Sequence, residues 1–339
     1  MLFRSYRHGF LSYRLAQYGI TKENWKDYIS DFEYHWLRHI NGDAKQLFQD
    51  KITIKYILHD FHDCFPEYYY HIRTTESGNV IVPMMDCPEG YGDTYEDILR
   101  LAREKGVLAL KPDEGSHGNG FYRLKYEDGK YWLSFNEATE QDIIDILSDR
   151  NNQYLVTEYI NNHPEFKRIY DGAVNTIRMV VFKDTAGKAH IGTAYMRFGS
   201  DLTHGVDNMG AGGIAVSVNE ETGEYGNARY ITHNNIKKID VHPDTGVPIT
   251  GVIPHWEQIK EKILEIADSV DGMEYFGFDV AVTEDGIKLP EINRFPDYPK
   301  MECMTRQHIN YLLRKVEEKK VKCGYDKKPC RKLVHLPKR

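Results

Sequence analysis

Asp279 and Glu291 stand twelve residues apart in GFDVAVTEDGIKLPEINRF, with Asn293 two residues beyond the second. The intervening TEDG reads as a hairpin turn, so the two carboxylates fall beside each other on adjacent strands. Two carboxylates on one sheet face repel and are costly to bury unless a cation sits between them. Magnesium supplies that charge through oxygen ligands, and a carboxylate pair plus the Asn293 amide oxygen leaves room for waters and polyphosphate. The plain alternative is the polar outer face of an ordinary hairpin.

Three further stretches carry groups with chemical potential. VLALKPDEGSHGNGFYRL ends a buried strand in Lys111 and passes through a loop with Gly115, Gly118 and Gly120 into a second strand. Glycines let backbone N–H groups approach an anion, and a strand-end lysine can neutralise phosphate oxygens. The loop is no Walker A motif, because Phe121 and Tyr122 follow Gly120 where Lys and Ser or Thr would stand. A ligand-free hairpin turn reads equally from these residues. YLVTEYI leads apolar residues to Glu158, and Glu165 follows seven residues on. Such a strand end offers backbone groups to an adenine edge, and the later carboxylate can accept from ribose hydroxyls, although both glutamates also read as surface groups. In NTIRMVVF, Arg178 shares a face with Thr176 and Val180; in TAYMRFG, Arg197 shares one with Thr193 and Tyr195. Each could stabilise developing negative charge or lie on the exposed half of an amphipathic strand. Between Arg197 and the next strand, GSDLTHGVDNMGAGGI reads as a mobile flap.

These residues need elements to hold them. TKENWKDYISDFEYHWLRHI sets Trp25, Tyr28, Ile29, Phe32, Trp36 and Ile40 on one helical face, with Thr21 as N-cap and Asn24 where a full capping box would need Glu or Gln. A second helix is expected from Asp50, and another over TYEDILRLAREKG ends at Gly106. Beyond it, short strands separated by turns such as YEDGKY and DTAGKA, interrupted by two helices, predict an α+β fold of antiparallel hairpins.

Bulk properties narrow the class. With 44 Lys and Arg against 51 Asp and Glu, the net charge of −7 argues against a nucleic-acid partner. Both ends are nevertheless basic, through Arg4, Arg7 and Arg14 and through the tail after Arg314, which leaves peripheral contact with anionic lipid open. Five scattered cysteines without a CxxC pair indicate neither a disulfide framework nor a zinc site and fit a cytoplasmic setting. No run of eighteen apolar residues and no signal-peptide h-region is expected from the sequence.

The order of these pieces resembles the ATP-grasp superfamily over about residues 45 to 310. HPEFKRIYDGAVNTIRMVV, VDNMGAGGIAV and GFDVAVTEDGIKLPEIN are most similar to the sugar-transfer-associated ATP-grasp family of cell-surface polysaccharide biosynthesis. The resemblance implies two α+β subdomains clamping the nucleotide, behind a helical N-terminal region. Its implied divisions are 1–50 for that region, 51–105 for a preceding segment, 106–160 and 161–310 for the small and large subdomains, and 311–339 for a basic tail. It implies that Lys51 reaches a nucleotide phosphate and Lys111 the α- and β-phosphates, that Gly115, Ser116, His117, Gly118 and Gly120 cover them, and that Glu158, Tyr159 and Ile160 form the adenine hinge with Glu165 at the ribose. Asp279, Glu291 and Asn293 match its magnesium triad, holding two ions with manganese a possible substitute, and Arg178, Arg197 and Lys111 its reacting-phosphate groups. The implied reaction joins a small-molecule or glycan-linked carboxylate to an amine at the expense of ATP. A kinase or a non-catalytic ATP-binding module is the alternative outcome on the same fold. The N-terminal region and the tail are open to roles as a homodimer surface or a contact with the inner face of the membrane.

Overall fold

A computed structural model describes residues 5–12, 14–15, 20–48, 50–113, 120–232, 235–297 and 303–324. The N-terminal region departs from the single helix expected after Thr21. Trp25–Asp27 forms a 3₁₀ turn, and helix α1 starts only at Asp31–Trp36. The break has a local cause: Ser30 and Glu33 make a full capping box, which begins a new helix at that point. Thr21 does accept from the Asn24 N–H while the Asn24 side chain accepts from Thr21 N–H, so Asn24 completes a reciprocal cap that its residue type did not promise. Helix α2, Lys51–Ile57, begins where expected, with the Asp50 carboxylate accepting from Thr53 N–H at 2.7 Å.

Two antiparallel sheets follow. β1 (Tyr68–Thr75) and β2 (Gly78–Pro83) precede helix α3 (Tyr95–Lys105), which is capped by Thr94 and, as the sequence predicts, ended by Gly106. β3 (Val107–Pro112), β4 (Tyr122–Glu127), β5 (Lys130–Leu133), β6 (Asn136–Ala138), helix α4 (Glu140–Ser148) and β7 (Tyr154–Glu158) complete the first sheet, in the order β2-β1-β7-β3-β4-β5-β6. Its core face sets Leu108, Leu110, Leu124 and Val156 against Ile98, Leu101 and Ile143 of α3 and α4. By alternation, Ala109, Lys111, Arg123 and Thr157 occupy the opposite face.

The second sheet follows helix α5 (Pro164–Lys167). It comprises β8 (Thr176–Lys183), β9 (Ala189–Phe198), β10 (Ile214–Val218), β11 (Glu224–Thr232), β12 (Asn235–Lys238), β13 (Gly251–Val252), β14 (Tyr275–Thr283) and β15 (Gly286–Asn293). The order is β12-β11-β10-β9-β8-β14-β15, with β13 paired to β11. Helix α6 (Trp256–Ser269) lies among the residues that cover Ile177, Met179, Phe276 and Phe278 on one face. On the other face Val180, Phe182 and Tyr275 pack with Tyr34 and Leu37 of the N-terminal region and with Tyr311 and Leu312 of helix α7 (Arg306–Lys322). The central strands are therefore buried on both sides, which is why β8 reads as a continuous apolar run around one arginine.

The N-terminal region is fastened to that second face by hydrogen bonds as well as packing. Asn41 donates to the carbonyls of Tyr275 and Arg294, both at 2.7 Å, and accepts from the N–H groups of Glu274 and Tyr275. All four bonds hold the start of β14 to the chain leaving β15. Among the described residues no helix is long and apolar enough to cross a membrane.

Candidate functional site

Strand register assembles the first half of the site. Asp279 lies opposite Glu291 on one side and Arg178 on the other, and Arg178 lies opposite Tyr195. Four strands thus bring Glu291, Asp279, Arg178 and Tyr195 into one row. Arg197 stands in the next row, opposite Thr176. Arg178 binds both Asp279 oxygens, Nε to Oδ1 at 2.5 Å and Nη2 to Oδ2 at 3.2 Å, while Arg197 Nη2 reaches Oδ2 at 2.9 Å. Asp207, from the loop after β9, adds a second carboxylate 3.3 Å from Arg197 Nε and accepts from Thr176 N–H and Oγ1. These side chains are buried, with Asp279 4%, Arg178 6% and both Arg197 and Asp207 9% exposed, so neither arginine is the exposed half of an amphipathic strand.

The electrostatics follow from that enclosure. Burial alone would push the Asp279 carboxyl up, but Arg178 and Arg197 outweigh it and hold the group below its ordinary value. Burial and then the charge of Asp279 raise the Glu291 carboxyl, with Lys51 opposing them. The arginines thus supply much of the positive charge that the acid pair requires, so repulsion within the pair does not by itself demand a metal. The residues fit one nonetheless. Asn293 Nδ2 donates to Gly277 O at 3.4 Å, which leaves its amide oxygen available, and with the half-buried Glu291 carboxylate it makes an all-oxygen set suited to a hard dication. Among the described residues no three His, Cys, Asp or Glu side chains converge, so the set is two carboxylates and an amide. Gly277 is required here, because a Cβ would lie 2.6 Å from Pro296 as the chain turns away.

The second half lies on the first sheet. Burial and the neighbouring Lys51 bring the Lys111 ammonium down to about 7, and Glu291 partly offsets them. Lys111 Nζ stands 5.1 Å from the centre of the Tyr68 ring, and Lys55 stands 4.6 Å from the same ring. Lys55 is bound to Asp86 and to the Pro66 carbonyl, so it is already neutralised. Lys51, at the first turn of α2, donates to the Asp113 carbonyl at 3.4 Å, tying that helix to the exit of β3. Gly120 has φ +77°, and a Cβ there would meet Pro112 at 2.9 Å, so the return from the loop needs glycine. Gly115, Ser116, His117 and Gly118 lie outside the described residues.

The hinge residues are more committed than their sequence suggests. Glu158 accepts from Glu67 N–H and pairs with Lys288 of β15 at 3.2 Å, joining the two sheets. Tyr159 and Ile160 are buried. Glu165 accepts twice from Arg168, at 2.8 and 3.0 Å, and from the Tyr225 hydroxyl at 2.5 Å. The loop after β9 is fastened rather than hanging as a free flap. Ser200 donates to Gly212 O, Gly213 N–H to Asn208 O, and His242 Nε2 to Gly199 O. Sequence reading missed Asp207, Lys55 and Asp86. Only the DN of VDNMGAGG could have drawn notice to Asp207, and nothing local signals that it turns inward.

A model of the family described as sugar-transfer associated ATP-grasp matches residues 33–318. No curated protein matches the chain. Among solved structures, D-alanyl-alanine synthetase A from Vibrio cholerae O1 biovar eltor is similar at 15% identity and TM-score 0.45, over 83% of this chain and 67% of that one. N5-carboxyaminoimidazole synthetase from Staphylococcus aureus, complexed with ADP, is similar at 12% identity and TM-score 0.41, over 76% and 51%. D-alanine–D-alanine ligase from Bacillus anthracis is similar at 12% identity and TM-score 0.40, over 83% and 70%. The chain thus spans between 51% and 70% of the lengths of these structures. With the family match running from the capped helix α1 through both sheets and into α7, the chain belongs to the sugar-transfer associated ATP-grasp family.

Proposed function

We propose that the chain is an ATP-dependent carboxylate–amine ligase acting through an acyl phosphate, in cell-surface polysaccharide or glycoconjugate biosynthesis. The observation that carries the reading is the pairing of a lysine face with a wall on which arginines and carboxylates are ion-paired. Lys111 and Lys51 feel the field of Glu291 across the site, while Arg178 and Arg197 are held on the same wall as that carboxylate. Polyphosphate needs the first face, and a transferring phosphoryl group needs the second.

In this reading Glu158, Tyr159 and Ile160 border the adenine, and Glu165 turns toward the ribose, exchanging part of its present contact with Arg168 and Tyr225. Lys111 and Lys51 bind the phosphates under the loop of Gly115, Ser116, His117, Gly118 and Gly120, which excludes water. Asp279, Glu291 and Asn293 would hold Mg²⁺, which supplies Lewis-acid charge to the phosphate oxygens. An oxygen of the substrate carboxylate attacks the γ-phosphorus and ADP leaves. The amine then attacks the acyl carbon, phosphate leaves, and the amine gives up a proton. Arg178 and Arg197 are pre-aligned by Asp279 and Asp207, so they stabilise the developing charge with little reorganisation. ATP, a reduced set of thiols and the basic ends suit a cytoplasmic protein at the inner face of the membrane.

The test is product analysis with ATP, Mg²⁺ and a panel of uronic acids, amino acids and amino sugars. Inorganic phosphate together with an amide, formed only when carboxylate and amine are both present, is the expected result. A stable phosphorylated product without phosphate release would instead make the chain a kinase. Glu291→Ala should abolish turnover while its melting curve stays cooperative, and full activity in that variant would remove the site assignment.

A further inference from the structure

Among the described residues, Arg123 is a cation of the first sheet without an ion-pair partner. Arg123 on β4 lies opposite Ala109 of β3, two residues from Lys111 along that strand, so both cations occupy one face. Its neighbour Leu124 is fully buried in the core on the other face, which fixes that orientation. The Arg123 guanidinium sits 4.8 Å from the centre of the Tyr159 ring. Its Nε is buried and has no hydrogen-bond partner, and among the described residues no carboxylate lies within ion-pair distance. Arg178 and Arg197 are bound to carboxylates, whereas among the described residues the Arg123 side chain has no ion pair, and its backbone bonds to Ser134.

Arg123 is half-buried, and its orphaned Nε–H lacks a hydrogen bond that a bound anion could supply together with counter-charge. Position decides which anion. Arg123 stands level with Ala109 and Thr157, the row before Lys111, and against Tyr159 at the hinge. That row is on the nucleoside side of Lys111, away from the loop that follows β3. The small side chain of Ala109 leaves the sheet face beside the guanidinium low. We infer that Arg123 is a nucleotide-binding residue that donates to the α-phosphate from its nucleoside side, alongside Lys111, which reaches from the next row toward the β-phosphate. The inference rests on the ATP reading given above.

Because an α-phosphate contact is the same before and after phosphoryl transfer, it acts on binding and leaves the chemical step alone. The experiment measures dissociation constants of adenosine, AMP, ADP and a non-hydrolysable ATP analogue by calorimetry, for wild type, Arg123→Met and Arg123→Lys. Arg123→Met should weaken AMP, ADP and the analogue by about tenfold or more, the worth of a charged hydrogen bond, and adenosine by under about twofold. Arg123→Lys should recover part of that loss, separating lost charge from a damaged fold. Unchanged binding of all four ligands to Arg123→Met would overturn the inference while leaving the nucleotide site standing. Equal losses for adenosine and AMP would also overturn it, placing the contact on the base. Failure of wild type to bind any of them would remove the nucleotide reading itself.

Discussion

The two walls of the site carry similar groups in opposite states of compensation. On the second sheet Arg178, Arg197, Asp279, Asp207 and Thr176 satisfy one another, and the group is almost wholly enclosed. On the first sheet Lys111 and Arg123 face the site without a carboxylate among the described residues, and Lys111 has lost much of its grip on its proton. On the second sheet the arginine charges are compensated from within; on the first, among the described residues, they are not. The difference separates stability from function, because removing a member of a satisfied network damages the fold, while removing an uncompensated cation relieves it.

The sharpest way to break this contrast is Asp279→Ala. It leaves the buried Arg178 guanidinium without a carboxylate, while Arg197 keeps Asp207, and about 3–5 kcal/mol of stability should be lost. Denaturant unfolding measures it, and a change under about 1 kcal/mol would show the network to be open to water. Lys111→Met is the counterpart on the other wall. Its own unfolding free energy should hold or rise, yet the ligand-induced stabilisation, roughly 2.7 kcal/mol at a hundred times Kd, should largely disappear from a thermal melt with Mg²⁺ and an ATP analogue. A variant that melts early but keeps its nucleotide shift would reverse the roles assigned to the walls.

A smaller effect sharpens the contrast further. With its ammonium near 7, Lys111 is about half deprotonated in the free protein at neutral pH, and polyphosphate favours the protonated form. Nucleotide binding at pH 8 should therefore take up close to one proton, and affinity should fall by up to about tenfold per pH unit above 7. Calorimetry in two buffers of different ionisation enthalpy reads the uptake directly. Lys111→Met should abolish it, and an uptake that persists in that variant would assign the proton elsewhere.

Much of this was legible in the residues, and the exceptions share a cause. Strand alternation and the TEDG turn bring Asp279 to within one residue of Glu291, and a β-bulge between Asp279 and Ala281 that the residues do not announce completes the pairing; alternation alone puts Arg178 on the face of Thr176, because the two-residue period is local. Helices α2 and α3 begin at Asp50 and Thr94 because capping is local too. What sequence does not carry is which strand lies beside which. The arginines neutralise Asp279 only because β8 sits between β14 and β9, a pairing made across about a hundred residues of chain. Asp207 and Asn41 were missed for the same reason, since each is polar, sits in an irregular segment and becomes buried only through distant partners. The N-terminal helix broke at Ser30 because the capping box there outcompetes an apolar stripe that spans both pieces.

Glu165 lies between the walls in character, and its loss should have the smallest effect. Arg168 holds its carboxyl below the ordinary value, with the Tyr225 hydroxyl also favouring the charged form against burial. A carboxyl depressed in the folded state contributes stability that is present above its unfolded pKa and is lost as pH falls through the folded one. Its contact with Arg168 is partly exposed, so the contribution should be no more than about 1 kcal/mol at neutral pH. If the group also accepts from ribose, Glu165→Ala should raise the ATP KM a few-fold and leave kcat nearly unchanged, because that contact is alike in ground and transition states. Arg168→Ala supplies the control. It removes the partner but keeps the carboxylate, so it should reproduce the stability loss without the change in KM. Equal KM values in wild type and Glu165→Ala, with stability lowered alike in both variants, would make Glu165 an internal partner of Arg168 and move it wholly to the compensated wall.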